Sequence, residues 1–208
     1  MSSNDSDSRR WRCAWLRTVG LLIASMLITS TTQAACPRAI FFDLGDTLVS
    51  SGAGGMYVLR AGAQQTVDQL QAVGVQLGVI TNVPAGWSLA DLEAMLVEPD
   101  FLDEFDIVVL SSQAPASKPD PRIYTHAHSL LPIPVAITDT AFVGETLAEI
   151  ANLQINPTSG ARAVGMIGIH LSNAAASPRA DFTIPTNGLI QIAPLVATLC
   201  TPFVDGFE

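Results

Sequence analysis

Short apolar runs alternate with amphipathic stretches from residue 39 onward. Five of these runs are rich in β-branched or aromatic residues and bounded by turn residues, which predicts strands over residues 39–42, 75–80, 107–110, 141–143 and 164–169. Strands that are apolar on both faces and separated by helices are typical of a parallel sheet covered on both sides. The pattern therefore predicts an α/β fold with a doubly wound, mainly parallel, Rossmann-like sheet.

Apolar residues at helical spacing predict four helices between the strands, over residues 63–70, 89–97, 123–131 and 147–153. Three of these helices carry a start signal. Ser88 with Asp91 and Thr146 with Glu149 resemble capping boxes, and Asp120 before a proline is typical of an N-cap. The signals support the predicted alternation of strands and helices.

The first 34 residues are typical of a secretory signal peptide. Four arginines precede an apolar run over residues 19–28, and Thr32, Gln33 and Ala34 form a small-x-small cleavage site. A membrane anchor is the alternative, but the apolar run falls short of the ~20 residues that span a bilayer. We therefore expect a periplasmic or secreted protein, no stable membrane span after cleavage, and one mature domain over residues 35–208.

Removal of this segment changes the charge and the cysteine count. The predicted mature chain has 6 basic and 17 acidic residues, a net charge of −11, which disfavours nucleic acid and anionic membrane as partners. Cys36 and Cys200 remain near its two ends. They form a disulfide in an oxidising compartment or stay as two unpaired thiols, and a lipidated Cys36 is a third alternative.

Polar side chains follow four of the predicted strands, at the point where each strand ends. In an open parallel sheet, ligands bind at this carboxyl edge. The residues are Asp43, Asp46 and Thr47 after the first strand, Thr81 and Asn82 after the second, Lys118 after the third, and Glu145, Thr146 and Glu149 after the fourth. Carboxylates beside one ammonium suit a hard cation such as magnesium together with a phosphoryl group.

Lys118 is the only lysine in the chain, against nine arginines. Its proline-rich loop is consistent with an ordinary surface side chain. Its place after the third predicted strand favours instead a compact positive charge that belongs to the site.

Four motifs lie on these strand ends: "FFDLGDTL", "VITN", "SKPDPRIY" and "FVGETLAEI". In this order they resemble the motifs of the haloacid dehalogenase superfamily, and the resemblance runs from residue 39 to residue 190. The receiver domain also groups acids, a threonine and a lysine, but it places its phosphorylated aspartate after the third strand, unlike this sequence. The resemblance implies a hydrolase of the phosphatase type with a small cap or none.

The resemblance implies a role for each matching residue. Asp43 would be the nucleophile, forming an aspartyl-phosphate that water then hydrolyses. Thr81 and the backbone of Asn82 would hold the phosphoryl oxygens, and Lys118 would neutralise charge on Asp43 and on the transferring group.

The resemblance also implies a magnesium ion, held by Asp43, the backbone carbonyl of Gly45 and Glu145. Glu149 is either a further ligand or only the capping-box partner of Thr146. Both glutamates stand where the family usually has aspartate.

Gly45 stands where the family's phosphatases carry the acid that protonates the leaving oxygen, and Asp46 follows it. General acid catalysis typically contributes about 10²–10⁴-fold. We therefore expect either that Asp46 replaces the missing acid or that the enzyme is weakened and prefers aryl and acyl phosphates over alkyl phosphates.

The spacing of the motifs leaves no room for a large cap domain. Asp43 and Thr81 are 38 residues apart and Thr81 and Lys118 are 37 apart, and a turn, a helix and a strand fill each interval. Only "SSGAGGMYV" is left for a flap, and its glycines favour mobility. The site should be open, which suits a bulky substrate or a second subunit that acts as the lid.

Together these features predict an exported, magnesium-dependent phosphohydrolase that acts on a phosphorylated small molecule or a phosphoprotein. The alternative is a catalytically silent relative that binds such a ligand, favoured by Gly45 and the two glutamates. Carbon–halogen hydrolysis is disfavoured because it needs a lid around an apolar substrate. His126, His128 and His170 form no metal-ligand set and are expected to be structural or solvent-facing.

Overall fold

A parallel sheet of six strands forms the centre of the fold in the computed structural model, which describes residues 36–153 and 156–201. Two further strands form a separate hairpin. The strands are β1 (Ala39–Phe42), β2 (Val49–Ser51), β3 (Tyr57–Leu59), β4 (Gln76–Thr81), β5 (Ile107–Leu110), β6 (Thr140–Gly144), β7 (Ile167–Leu171) and β8 (Phe182–Ile184). The order in the large sheet is β5-β4-β1-β6-β7-β8, so β1 lies between β4 and β6.

Helices cover both faces of this sheet. They are α1 (Ala63–Ala72), α2 (Leu89–Glu93), α3 (Pro121–Ser129), α4 (Leu147–Ile150) and α5 (Ile192–Cys200). Alternate residues of β1 enter two separate cores: Ile40 and Phe42 pack in the cluster that contains residues of α1 and α5, whereas Ala39 and Phe41 pack with residues of α3. The predicted α/β fold with a doubly wound parallel sheet is confirmed.

Three elements differ from the sequence expectation. The second predicted helix stops at Glu93, since Tyr57 of β3 donates to the carbonyl of Met95 and accepts from the N–H of Val97. The fourth predicted helix stops at Ile150, where the chain becomes extended. Residues 161–164 form a 3-10 turn, so the fifth predicted strand begins only at β7.

The glycine-rich segment predicted to be a flap forms the β2–β3 hairpin. Ser50 pairs with Val58, and the connecting turn includes Gly54 at φ 69°, a left-handed conformation that glycine adopts without strain. Within residues 36–153 and 156–201 no inserted domain interrupts the fold, in agreement with the expected absence of a large cap.

A disulfide between Cys36 and Cys200 joins the two ends of the described chain. It lies before β1 begins, and so at the edge of the sheet opposite to the strand ends that carry the predicted site. The predicted signal peptide, residues 1–34, lies outside the described residues. Among those that are described, none of the helices has the length and apolar character needed to span a bilayer.

Candidate active site

Asp43 lies at the carboxyl end of the central strand β1, whose four residues are fully buried. Its backbone N–H donates to the carbonyl of Val143 at 2.8 Å, which extends the pairing of β1 with β6 by one residue. The chain then turns, because the Leu44 carbonyl accepts from the N–H groups of Leu48 and Val49 at 2.9 and 3.0 Å. The Asp43 side chain is therefore fixed at the sheet edge, with the residue only 7% exposed.

The ammonium of Lys118 contacts Asp43 Oδ1 and lies 2.9 Å from Glu149 Oε2. The Glu149 contact is at ion-pair distance but lacks the alignment of a hydrogen bond. The Lys118 side chain is 1% exposed, and its Nζ lies 5.5 Å from the ring centroid of Phe142. One buried cation therefore contacts one buried and one partly buried carboxylate, and both were predicted to belong to the site.

The three carboxylates of the site differ in their pKa. Burial raises the pKa of Asp43 to about 7, against the attraction of Lys118 and with added repulsion from Glu149 and Glu145. Burial also raises the pKa of Glu149, again opposed by Lys118. Burial acts in the same direction on Glu145, but a hydrogen bond from the Thr146 hydroxyl at 2.6 Å helps to hold its pKa below the ordinary value.

Thr47 connects the carboxylates of Asp43 and Glu145. Its Oγ1 lies 3.2 Å from Asp43 Oδ2 and 3.3 Å from Glu145 Oε2. A hydroxyl has one hydrogen and donates to only one of these oxygens at a time, so the two carboxylates share a single donor. Hard cations prefer such oxygens, and magnesium usually takes one or two carboxylates and keeps several waters. The pair of Asp43 and Glu145 therefore fits a magnesium ion.

Glu149 does not make the predicted capping box. Thr146 is the N-cap residue of α4, but its side chain makes no capping hydrogen bond and donates to Glu145 instead. Glu149 is drawn to the buried ammonium of Lys118, a stronger attraction than a backbone N–H at a helix end. The described residues also contain no group of three or more His, Cys, Asp or Glu side chains arranged to hold a metal ion. A metal role for Glu149 stays a prediction.

Comparison with known proteins identifies the family of this chain. Residues 40–152, more than half of the 208, match the haloacid dehalogenase-like hydrolase family. The chain belongs to this family. A sesquiterpene phosphatase of Aspergillus oryzae, astK, is 31% identical over 121 residues, which cover 57% of this chain and 55% of that protein. The chain spans about half the length of the curated relatives that it matches.

Solved structures of haloacid dehalogenase-like proteins have the same fold. A hydrolase of this superfamily from Ehrlichia chaffeensis is similar with a TM-score of 0.60 and 13% identity, covering 79% of this chain and 98% of that chain. A phosphatase of the same superfamily from Thermococcus onnurineus has a TM-score of 0.53 and 22% identity, covering 66% of this chain and 58% of that one. At these identities the likeness concerns the fold alone.

The two predicted substrate-binding residues of this haloacid dehalogenase-like hydrolase are in different situations. Thr81 ends β4 and is buried, and its hydroxyl makes no hydrogen bond within the described parts of the chain, so it is free for a ligand. The side-chain amide of Asn82 is already engaged with the backbone of Lys118, at 2.9 and 3.0 Å. Only the backbone of Asn82 is left for the predicted contact with a phosphoryl oxygen.

Gly45 and Asp46 are both exposed in the turn that follows β1. A Cβ atom at position 45 would meet no other atom within 4 Å, so the space beside Gly45 is open. Asp46 adopts φ 53°, an uncommon conformation for a residue other than glycine. The guanidinium of Arg60 donates to its backbone carbonyl and, at 2.8 Å, to the carbonyl of Thr186, which ties this turn to the loop after β8.

Two features of the site were not predicted from the sequence. Thr47 was noted at the strand end, but nothing in the sequence indicated that it lies between two carboxylates. His170, expected to be structural or solvent-facing, is buried beside Gly144 in the β6–β7 pairing, and its Nε2 donates to the carbonyl of Glu145 at 2.9 Å. The signal that places His170 here is its position at the end of a predicted strand.

A cavity lies elsewhere in the described part of the chain. It has a volume of about 450 Å³ and is lined mainly by apolar side chains close to the Cys36–Cys200 disulfide, including Val73, Ile133 and Val196. None of the predicted site residues lines it. The predicted site therefore lies at the sheet edge, apart from this cavity.

Proposed function

We propose that this hydrolase is a magnesium-dependent phosphohydrolase that acts through an aspartyl-phosphate at Asp43. The observation that carries the proposal is the buried contact between Asp43 and Lys118, the only lysine of the chain, at the carboxyl edge of the sheet. The family membership and the open hydroxyl of Thr81 support the same reaction.

The proposed reaction has two displacements at phosphorus. In the first, a carboxylate oxygen of Asp43 forms a bond to phosphorus while the bond to the leaving oxygen breaks, and the leaving group departs as an alcohol or an oxyanion. In the second, water attacks the same phosphorus, its proton passes to a base or to solvent, and inorganic phosphate leaves the restored carboxylate. Lys118 and the Thr81 hydroxyl stabilise the charge on the equatorial oxygens in both steps.

Asp43 and Glu145 would hold the magnesium ion, together with the backbone carbonyl of Gly45 that the family resemblance implies. When bound, the ion supplies positive charge to the phosphoryl oxygens and favours the ionised form of Asp43. Thr47 and His170 keep the two carboxylates in place, Thr47 through its hydroxyl and His170 through the backbone of Glu145.

The glycine at position 45 favours substrates with good leaving groups. Without an acid at this position, a leaving alkoxide must take its proton from Asp46 or from water, whereas an aryl or acyl leaving group departs without one. The exposed carboxylate of Asp46 is near enough in sequence to substitute in part. We therefore propose a higher rate on aryl and acyl phosphates than on alkyl phosphates, and equal rates on both classes would rule this out.

The natural substrate that we propose is a phosphorylated small molecule with a bulky group. The described residues form no large cap over the sheet edge, and the Aspergillus relative is named a sesquiterpene phosphatase. The Cys36–Cys200 disulfide supports our proposal of export to an oxidising compartment, periplasmic or extracellular.

The test is the release of phosphate from p-nitrophenyl phosphate by the mature, oxidised protein, with and without magnesium. We expect turnover that requires magnesium and is abolished in Asp43→Asn. A second candidate function, a silent relative that binds a phosphorylated ligand, is favoured by Gly45 and by the engagement of Glu149 with Lys118. Binding of inorganic phosphate without any turnover in the wild type would support that second candidate.

A further inference from the structure

We propose that Asn82 is a positioning residue, which places the Lys118 ammonium by clamping the backbone of Lys118. For catalysis the inference rests on the proposed function, because Lys118 acts there on Asp43 and on the phosphoryl group. The placement of Lys118 itself does not depend on which reaction the site performs.

The clamp consists of two hydrogen bonds to a single residue. The Lys118 N–H donates to Asn82 Oδ1 at 2.9 Å, and Asn82 Nδ2 donates to the Lys118 carbonyl at 3.0 Å. The two residues are 36 positions apart and belong to different loops at the sheet edge, one after β4 and one before α3. An amide side chain is required for both bonds, because it carries a donor and an acceptor on one planar group.

Lys118 needs such an anchor because no helix or strand holds it. It lies in the loop between β5 and α3, and its flexible four-carbon side chain must bring the ammonium into a buried position between Asp43 and Glu149. On the far side, the carbonyl of Pro119 accepts from the N–H of Gly160 at 2.7 Å. The loop is thus held from two sides, and Asn82 provides the contact at Lys118 itself.

The structure also supplies a control of the same design. Gln76, at the start of the same strand β4, makes the same kind of clamp on Ile133: its Nε2 donates to the Ile133 carbonyl and its Oε1 accepts from the Ile133 N–H, both at 2.8 Å. This second clamp lies at the opposite end of β4 from Asn82. Gln76→Ala therefore removes two comparable hydrogen bonds without touching the Lys118 loop.

The decisive experiment uses the fact that Lys118 is the only lysine. The protein is treated with sulfosuccinimidyl acetate, and peptide mass spectrometry follows the acetylation of Lys118 separately from that of the N-terminal amine. In the wild type, Lys118 should react slowly because its side chain is 1% exposed. Asn82→Ala should raise the rate about tenfold or more by opening the loop, whereas Gln76→Ala should leave it within about twofold of the wild type.

An unchanged acetylation rate in Asn82→Ala would overturn the proposal, and so would an equal rise in Gln76→Ala. If Asn82→Ala does not fold, by circular dichroism, Asn82→Asp serves instead. Aspartate has the same shape as asparagine, but both of its side-chain oxygens are acceptors. The hydrogen bond to the Lys118 carbonyl is therefore lost, and the acetylation rate should still rise.

Kinetics then separate this proposal from the proposed function. In an active enzyme, Asn82→Ala should lower kcat about tenfold or more and leave KM within about threefold. In the double variant with Lys118→Met, the kcat should be less than about twofold below that of Lys118→Met alone. Losses that multiply in the double variant would mean that Asn82 acts on the substrate directly, which contradicts a positioning role. If the wild type hydrolyses no phosphate ester, the proposed function fails while the acetylation result still decides on the clamp.

Discussion

At the scale of single residues, the site is a set of buried and partly buried charges that the fold holds close together. The contact between Asp43 and Lys118 could be predicted because both residues follow strands of one parallel sheet. Lys118 was also the only lysine in the chain, which indicated a specific role. The assignment of Glu149 to Lys118 could not be predicted, since a capping box and an ion pair use the same residue at the same position. Only the side-chain distances distinguish them.

Gly45→Asp should restore the missing acid. The space at this position is open, so the substitution should not disturb the turn. We expect kcat/KM on an alkyl phosphate to rise about 10-fold to 100-fold, with little change on p-nitrophenyl phosphate, because only the poor leaving group needs the proton. The matched control is Gly45→Asn, which has the same shape and no acidic proton. An equal gain in both variants would contradict the explanation.

Asp43→Asn should stabilise the metal-free protein in a pH-dependent way. In the native state the pKa of Asp43 is raised from 3.8 to about 7, so the folded protein binds this proton more tightly than the unfolded chain, and the associated stability is lost as the pH rises towards 7. Between pH 5.5 and pH 8 the free energy of unfolding should fall by about 2 kcal/mol more in the wild type than in Asp43→Asn. Urea unfolding in the presence of a chelator measures this difference, and parallel pH profiles would refute it.

At the scale of secondary-structure elements, the long buried strands were predictable and the short elements were not. Strand β1 was predicted at its observed bounds because its four residues are all apolar, and all four are buried in the structure. The end of α2 depends on hydrogen bonds from Tyr57 of the hairpin, which no local pattern encodes. The three-residue strands β2, β3 and β8 are too short to give a periodic signal, and α5 is apolar without a clear polar face.

Helix α4 carries Glu149, the carboxylate whose repulsion raises the pKa of Asp43 more than that of Glu145 does. Removing the negative charge in Glu149→Gln should lower the pKa of Asp43, because repulsion from Glu149 contributes to raising it. The nucleophile is the ionised form, so the acid limb of the kcat/KM profile should move to lower pH. Glu98→Gln makes the same change of charge at an exposed position and should leave the limb in place. If the acid limb of the kcat/KM profile does not move in Glu149→Gln, the charge of Glu149 does not affect the pKa of Asp43.

At the scale of the whole molecule, the two ends of the described chain are tied together away from the active site. The sequence left a disulfide, free thiols and a lipidated cysteine as alternatives, because sequence spacing carries no information on the distance between Cys36 and Cys200. In the structure they are joined across a separation of 164 residues. The disulfide and the candidate active site therefore lie at opposite edges of the same sheet.

The double variant with Cys36→Ser and Cys200→Ser should lose stability and keep its activity. A cross-link that closes so long a loop restricts the unfolded chain and is typically worth about 2–5 kcal/mol. Denaturant unfolding should show this loss, a reductant should produce a similar loss in the wild type, and the same reductant should have no effect on the double variant. The value of kcat at a temperature where both proteins are folded should agree within about twofold. A large fall in kcat would contradict the separation of the two edges.

The proposed reaction depends most on Asp43 as a covalent nucleophile. The direct measurement is rapid acid quenching of the enzyme during turnover of p-nitrophenyl phosphate with magnesium, followed by mass spectrometry of the peptide that contains Asp43. We predict that this peptide gains one phosphoryl group, that hydroxylamine removes the group as expected for an acyl phosphate, and that Asp43→Asn gains none. Turnover without any phosphorylated peptide, or equal turnover in Asp43→Asn, would contradict a covalent role for Asp43.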